Sequence, residues 1–202
     1  MRVLFQGDSV TDAGRDRTDP HHLGNGYVRF AARMLEERRP DIEWEFLNLG
    51  MSCHRSKDLV ARWQADCLDF KPDIVSILIG INDVWRGFDE NDPTTPEQYE
   101  QNYRCMLEGI RQQTKAQIVL LEPYAALVPE RQSWHIDMGP KIAVLRRLAL
   151  EYAAAYVPLD GLLAAASIRR PPAYWASDGV HPTDKGAWLI AGYVARAIEQ
   201  LV

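Results

Sequence analysis

The sequence predicts a single-domain three-layer α/β/α sandwich of flavodoxin-like type, built on a five-stranded parallel sheet. Three observations carry that expectation. Short, near-continuous apolar runs, of which Ile74-Val75-Ser76-Ile77-Leu78-Ile79 is the clearest, read as strands covered on both faces. Between them lie stretches whose apolar residues recur at helical spacing, so strand and helix alternate along the chain. Finally, 202 residues with 47% apolar content suffice for one full core, and no repeat, low-complexity stretch or linker divides residues 1–202.

The first strand is Val3–Gln6, left abruptly through Gly7-Asp8-Ser9. A polar loop from Asp12 to Asn25 leads into a helix over Tyr27–Arg38, with Tyr27, Ala31, Met34 and Leu35 on one face. Pro40 and Asp41 stop it, and Ile42–Asn48 reads as the second strand. Ser56 is the expected N-cap of a helix bearing Leu59, Val60, Trp63 and Cys67. The third strand, Ile74–Ile79, follows Pro72. Pro96 opens a helix that turns Tyr99, Tyr103, Met106, Leu107 and Ile110 inward, and Ile118–Leu121 is the fourth strand. A helix from Pro140 to Tyr152 precedes a short fifth strand, Tyr156–Leu159. The last helix starts near Thr183 and carries Ala187, Ile190, Ala191, Val194, Ile198 and Leu201. Three connections, residues 11–26, 82–96 and 123–138, are longer than such units require, and each follows a strand. They are therefore expected at the carboxyl edge of the sheet, where open α/β proteins collect ligands.

Composition excludes several classes. A net charge of −5 gives no basic footprint, so nucleic acid is not an expected partner. No stretch approaches the roughly 20 apolar residues of a membrane span. The chain runs from Met1 directly into a strand, without the apolar region of a secretory leader. Cys53, Cys67 and Cys105 form no Cys-x-x-Cys pair and fit reduced thiols better than a disulfide framework. The expected compartment is the cytoplasm, with no membrane partner. No histidine spacing suggests a metal site, and position 10 is Val, so Asp8 does not begin an Asp-x-Asp phosphatase motif.

Ser9, at the exit of the first strand, is the candidate nucleophile. A serine hydroxyl needs an adjacent base, and the base an orienting group. His181 stands in Asp178-Gly179-Val180-His181-Pro182, where a carboxylate three residues ahead in a tight turn can reach Nδ1. Nε2 is then left to take the serine proton. The order Ser…Asp…His is one of the known triad orders. Acyl transfer also needs donors aimed at the developing oxyanion. Asn82 closes the third strand in Gly80-Ile81-Asn82-Asp83, the segment Asn48–Cys53 closes the second, and the N–H of Ser9 is a third donor. Taken singly, each segment has an ordinary structural reading as a turn or a local ion pair. Their convergence at matching strand ends is what points to chemistry.

Together these segments resemble the SGNH, or GDSL, hydrolase family. Gly7-Asp8-Ser9-Val10-Thr11-Asp12 is similar to its nucleophile block, Gly80-Ile81-Asn82-Asp83 to its asparagine block, and Asp178-Gly179-Val180-His181-Pro182 to its acid–base block. They occur in family order and span nearly the whole chain. The resemblance implies Ser9 as nucleophile, His181 as base, Asp178 as its partner and Asn82 as an oxyanion donor. One position departs: where the family's second block ends in a glycine that lends its N–H, this chain has Cys53. Any residue but proline has that N–H, yet a positive φ there would strain a cysteine or shift the loop.

Lys57-Asp58-Leu59-Val60-Ala61-Arg62-Trp63, Lys71-Pro72-Asp73, Gly80 to Arg86 and Gly26-Tyr27-Val28 resemble the acetylxylan esterase branch. That implies removal of acetyl groups from xylan-derived oligosaccharides through an acyl-enzyme that water deacylates, with no cofactor and with homo-oligomers compatible. Trp85, Tyr124, Trp134, Tyr174 and Trp175 fall in or beside the edge loops as candidate substrate-binding rings, with core packing as the equal alternative for each. Asp8, beside the nucleophile, is a further substrate-binding candidate. The competing readings are a lysophospholipase or thioesterase of the same family, and a non-catalytic carbohydrate-binding protein on this fold. The intact Ser9, Asp178 and His181 argue against the last.

Overall fold

A computed structural model describes residues 1–202. The apolar runs form β1 (Arg2–Gly7), β2 (Glu45–Asn48), β3 (Ile74–Leu78), β4 (Gln117–Leu121) and β5 (Ala155–Val157), all paired in parallel in the order β2-β1-β3-β4-β5. This is the expected flavodoxin-like arrangement in a single domain. Every residue of the central strand β3 is buried, which accounts for its lack of polar alternation.

Successive side chains along a strand point to opposite faces, so the sheet feeds two cores. Val3 and Phe5 pack under α2 (Tyr27–Arg38) and α9 (Asp184–Glu199). Leu4, Val75, Ile77 and Leu120 pack on the other side against α3 (Ser56–Asp66), α5 (Pro96–Gln113) and α6 (His135–Tyr152). The start of α5 is fixed locally. Thr95 Oγ1 accepts the N–H of Gln98 at 3.2 Å, Gln98 Oε1 accepts that of Thr95 at 2.9 Å, and Pro96 holds the first helical position. Such a box contributes about 1 kcal/mol.

The structure corrects several boundaries. Ser56 is the first residue of α3 rather than its cap; the N–H of Arg55 is instead taken by Asp58 Oδ2 at 2.8 Å. The Ser56 hydroxyl and N–H both go to the buried Asp83, at 2.6 and 2.9 Å, so a distant carboxylate replaces the local cap. The connection after β3 opens with a helix, α4 (Ile81–Asp89), that buries Ile81 and Val84. Helix α6 begins at His135, before Pro140. The missing N–H of Pro140 leaves the carbonyl of Ile136 without its helical donor, and Ile136 is 81% exposed, so the lost bond falls on the solvent side of the helix. Strand β5 stops at Val157 because Pro158 follows, and Leu159 begins α7 (Leu159–Ala166) rather than ending a strand; the short α8 (Pro172–Trp175) comes next, so the turn of Asp178 and His181 leaves a helix and not a strand end. β2 starts at Glu45, three residues later than Ile42, and α9 ends at Glu199, before Leu201.

Two adjacent strands then set the site. Gly7 lies opposite Leu78, so the exits of β1 and β3 stand side by side and deliver Ser9 and Asn82 to one edge. Gly80, between β3 and α4, has φ +143°, and a Cβ there would stand 2.6 Å from the hydroxyl of Tyr99, so the turn admits glycine alone. No helix is long and apolar enough to cross a membrane.

Candidate active site

Ser9 opens α1 (Ser9–Asp12), a single turn set directly on the end of β1. Asp8 caps it: Oδ1 accepts the N–H of Val10 at 3.0 Å, and the Asp8 carbonyl accepts that of Asp12 at 2.8 Å. The N–H of Ser9 is the first of the helix, where no preceding turn offers a carbonyl.

Ser9 Oγ lies 2.8 Å from His181 Nε2, and His181 Nδ1 lies 2.7 Å from Asp178 Oδ2. The other carboxylate oxygen, Oδ1, accepts the N–H groups of Val180 at 2.9 Å and His181 at 2.8 Å. The turn's own backbone therefore orients the carboxylate before it meets the imidazole, with Gly179 at φ +84° closing the bend. Partial burial pushes the Asp178 carboxyl up, but the bonds from the His181 ring and from the two N–H groups outweigh it, leaving it below the ordinary value. An ionised carboxylate on Nδ1 selects the tautomer whose Nε2 lone pair faces the serine hydroxyl. The imidazole and carboxylate side chains are 46% and 41% exposed, so substrate and water can reach them.

Asn82, 4% exposed on the first turn of α4, donates one amide hydrogen to the carbonyl of His54 at 3.0 Å. Its second hydrogen is free for another acceptor. The loop that carries His54 is held from both sides. Asp12 Oδ2 accepts the N–H of Ser52 at 3.0 Å, its hydroxyl at 2.9 Å and Arg17 Nη2 at 2.7 Å. Burial raises the Asp12 carboxyl, yet these donors bring it below its usual range. Asp83 holds Ser56 on the other side. Between them Cys53 adopts φ +70°, the conformation a glycine would take without strain, at a cost of roughly 1–2 kcal/mol. Its N–H has no acceptor within the protein. Asn48 laces these edge loops together: its amide donates to the carbonyls of Thr11 at 2.7 Å and Leu23 at 2.9 Å and accepts from Gly50 at 3.0 Å. Sequence reading passed over Asn48, Asp12 and Asp83 as site residues; a polar side chain at the buried end of an apolar strand is the signal that marks Asn48.

The candidate rings separate. Trp85 lies 6.2 Å from the His181 ring and 5.2 Å from that of Trp134, centroid to centroid. Trp134 and Tyr124 are buried, and the Tyr124 hydroxyl donates to the carbonyl of Val180 at 2.9 Å, which makes it a prop of the acid–base turn. Tyr174 and Trp175 are not brought to this cluster; with Phe30, Trp188 and Leu189 they line a separate hollow of about 560 Å³. Asp8 is 1% exposed and borders a cavity of about 10 Å³ with Val10, Gly80, Pro123 and Tyr124. No group of His, Cys, Asp and Glu side chains is arranged to hold a metal ion.

Burial pushes the Asp8 carboxyl up to about 7, against the pull of the Val10 N–H and of His181. The folded state thus holds this proton more tightly than the unfolded chain. The resulting stabilisation is complete below about pH 4 and is lost as pH rises through 7. Asp8→Asn keeps the capping oxygen without the ionisation. Its melting temperature is expected to gain on that of the unaltered protein as pH is raised from 5 to 8; parallel curves would contradict the assignment.

A serine on a strand-exit turn, bonded to an imidazole that is bonded to a carboxylate, is the arrangement serine hydrolases use, here at the carboxyl edge of a parallel sheet. Comparison with known proteins agrees with that class. The family model for the GDSL-like Lipase/Acylhydrolase family matches residues 5–189. An acetylxylan esterase of Geobacillus stearothermophilus is 32% identical over 204 residues, covering 98% of this chain and 93% of the other. A solved structure of an acetyl xylan esterase from the same organism superposes with a TM-score of 0.91 at 32% identity, over 98% and 94% of the two chains. An alpha/beta hydrolase enzyme from the metagenome of Lake Arreo, Spain, gives 0.89 at 32% identity, over 100% and 96%. The chain belongs to the GDSL-like lipase/acylhydrolase family, and it is a carboxylic-ester hydrolase.

Proposed function

We propose that this acylhydrolase is a serine esterase that removes acetyl, or similarly short acyl, groups from carbohydrate, xylan-derived oligosaccharides foremost. The observation that carries the reading is the continuous chain from Ser9 Oγ to His181 at 2.8 Å and from His181 to Asp178 at 2.7 Å. Likeness to an acetylxylan esterase supports the choice of substrate.

In this reading Ser9 Oγ attacks the acetyl carbonyl while His181 Nε2 takes its proton, and Asp178 steadies the imidazolium. The oxyanion accepts hydrogen bonds from the free amide hydrogen of Asn82 and from the N–H groups of Ser9 and Cys53. Collapse breaks the ester C–O bond. The departing sugar oxygen takes the proton from His181, leaving acetyl-Ser9. Water, deprotonated by His181, then attacks the acyl carbonyl, releasing acetate and returning the proton to Ser9. Trp85, beside the imidazole, offers its ring face to the sugar. The hollow next to Asp8 and Val10, about 10 Å³, is at the lower limit for a single water molecule and offers no room for a long acyl tail.

Acetate release from acetylated xylo-oligosaccharides, measured beside nitrophenyl esters of increasing chain length, tests this. The expected result is acetate release from the oligosaccharides, with nitrophenyl rates falling about tenfold or more between acetyl and octanoyl. A rate that peaks at octanoyl or longer overturns the acetyl-sugar assignment in favour of a lysophospholipase or thioesterase. Oligosaccharide binding without turnover of any ester overturns the catalytic reading itself.

A further inference from the structure

Three successive carbonyls of the turn that carries the acid–base pair each receive a donor from the segment following β4. Val180 is bonded by the Tyr124 hydroxyl at 2.9 Å, Gly179 by the N–H of Ala126 at 2.7 Å, and Asp178 by Arg131 Nε at 3.2 Å. The first two donors are rigid parts of the fold. Arg131 is a long charged side chain, and it would wander unless something else confined it.

Two rings do so. The guanidinium lies 4.1 Å from the ring centroid of Trp134 and 4.8 Å from that of Trp85. Its stem passes over the bare α-carbon of Gly179, where a Cβ would come within 2.7 Å of Arg131 Cγ. Trp85 belongs to α4, the helix that also carries Asn82. A single side chain thus joins the turn of Asp178 and His181 to the helix of Asn82, two parts of the site that no strand connects directly.

We infer that Arg131 is a positioning residue for the acid–base pair. Through the Asp178 carbonyl it fixes the turn that points the carboxylate at Nδ1 and so aims Nε2 at Ser9. Through the stacked rings it fixes that turn relative to the helix of Asn82. This rests on the reading of Ser9, His181 and Asp178 as the reacting groups. Charged donors make stronger hydrogen bonds than neutral ones, and reacting groups displaced by about 1 Å lose up to 10²-fold in rate.

Two substitutions separate positioning from general support. In Arg131→Gln the amide nitrogen stands the same number of bonds from the backbone as Nε and can still donate; Arg131→Met keeps the stem and has no donor. With 4-nitrophenyl acetate, Arg131→Met is expected to lower kcat about tenfold, with KM unchanged within about twofold. Arg131→Gln, which keeps the donor without the charge or the stacked guanidinium, is expected to regain part of that loss, and both variants should melt within a few degrees of the unaltered protein. Unchanged kcat in Arg131→Met overturns the inference. So does an equal loss in both variants accompanied by a lowered melting temperature, or an effect confined to KM. Ser9→Ala, run in parallel, reports on the underlying reading: activity surviving there removes the triad assignment, whereas an inactive Ser9→Ala beside a normal Arg131→Met removes only the role of Arg131.

Discussion

Ser9→Ala is expected to lower kcat for acetate release by about 10⁴-fold or more. The expectation follows from how little else the hydroxyl does. Its one recorded partner is His181 Nε2, while the turn that presents it is held by Asp8, whose side chain and carbonyl receive the N–H groups of Val10 and Asp12. Alanine leaves those bonds in place and suits a first helical turn, so the variant should fold and melt like the unaltered protein. On the proposed mechanism no acyl-enzyme forms without the hydroxyl, and further removal of His181 should cost little more, because groups that act as one unit are not additive. Rates within about tenfold of the original in Ser9→Ala would move the nucleophile elsewhere.

Asn82→Ala is expected to lower kcat about 10²- to 10³-fold with a much smaller change in KM, the pattern of a donor that acts on the charge developing in the transition state. Asn82 also tethers the carbonyl of His54 at 3.0 Å, and truncation leaves that acceptor without its partner. Some loss of stability, on the order of 1 kcal/mol, should accompany the kinetic effect. The two contributions are separable, since a loosened loop shows in the melting temperature whereas a lost oxyanion donor shows in kcat at saturating substrate. A loss that falls on KM alone would assign Asn82 to substrate binding rather than to the oxyanion.

Much of this arrangement was legible in the sequence because the fold places strand ends together. Each apolar run ended in a polar or glycine-containing segment, and a parallel sheet brings those segments to one edge regardless of their separation along the chain. Ser9 and Asn82 could therefore be grouped without coordinates, whereas the turn of Asp178 and His181 follows a helix and was legible only through its Asp-x-x-His spacing and the family resemblance. Helix α4 could also have been read, since Ile81, Val84, Trp85 and Phe88 fall at the spacing of one helical face. The polar run from Asp89 to Asp92 after it drew the whole stretch toward a loop. Ser56 shows a different limit. Its local pattern is that of a cap, but the partner that captures its hydroxyl, Asp83, lies 27 residues away. Arg131 was illegible for the same reason. Its contacts with Asp178, Gly179 and Trp85 depend on side-chain placement across three separate segments of the chain, and nothing in the pattern around residue 131 distinguishes it from an ordinary surface arginine. The positive φ of Cys53 stands between these extremes: the sequence posed the question, and only the backbone answers it.

The wide separation of Ser9 and His181 along the chain has a consequence for biosynthesis. Ser9 and His181 lie 172 positions apart, so all five strands are translated before the imidazole exists. A domain folds as a unit, and α9, which covers one face of the sheet, follows His181, so the core on that face and the bond between Ser9 and His181 are completed by the same late segment. On the reading of Ser9 and His181 as the reacting pair, a product terminated before residue 181 is inactive toward esters.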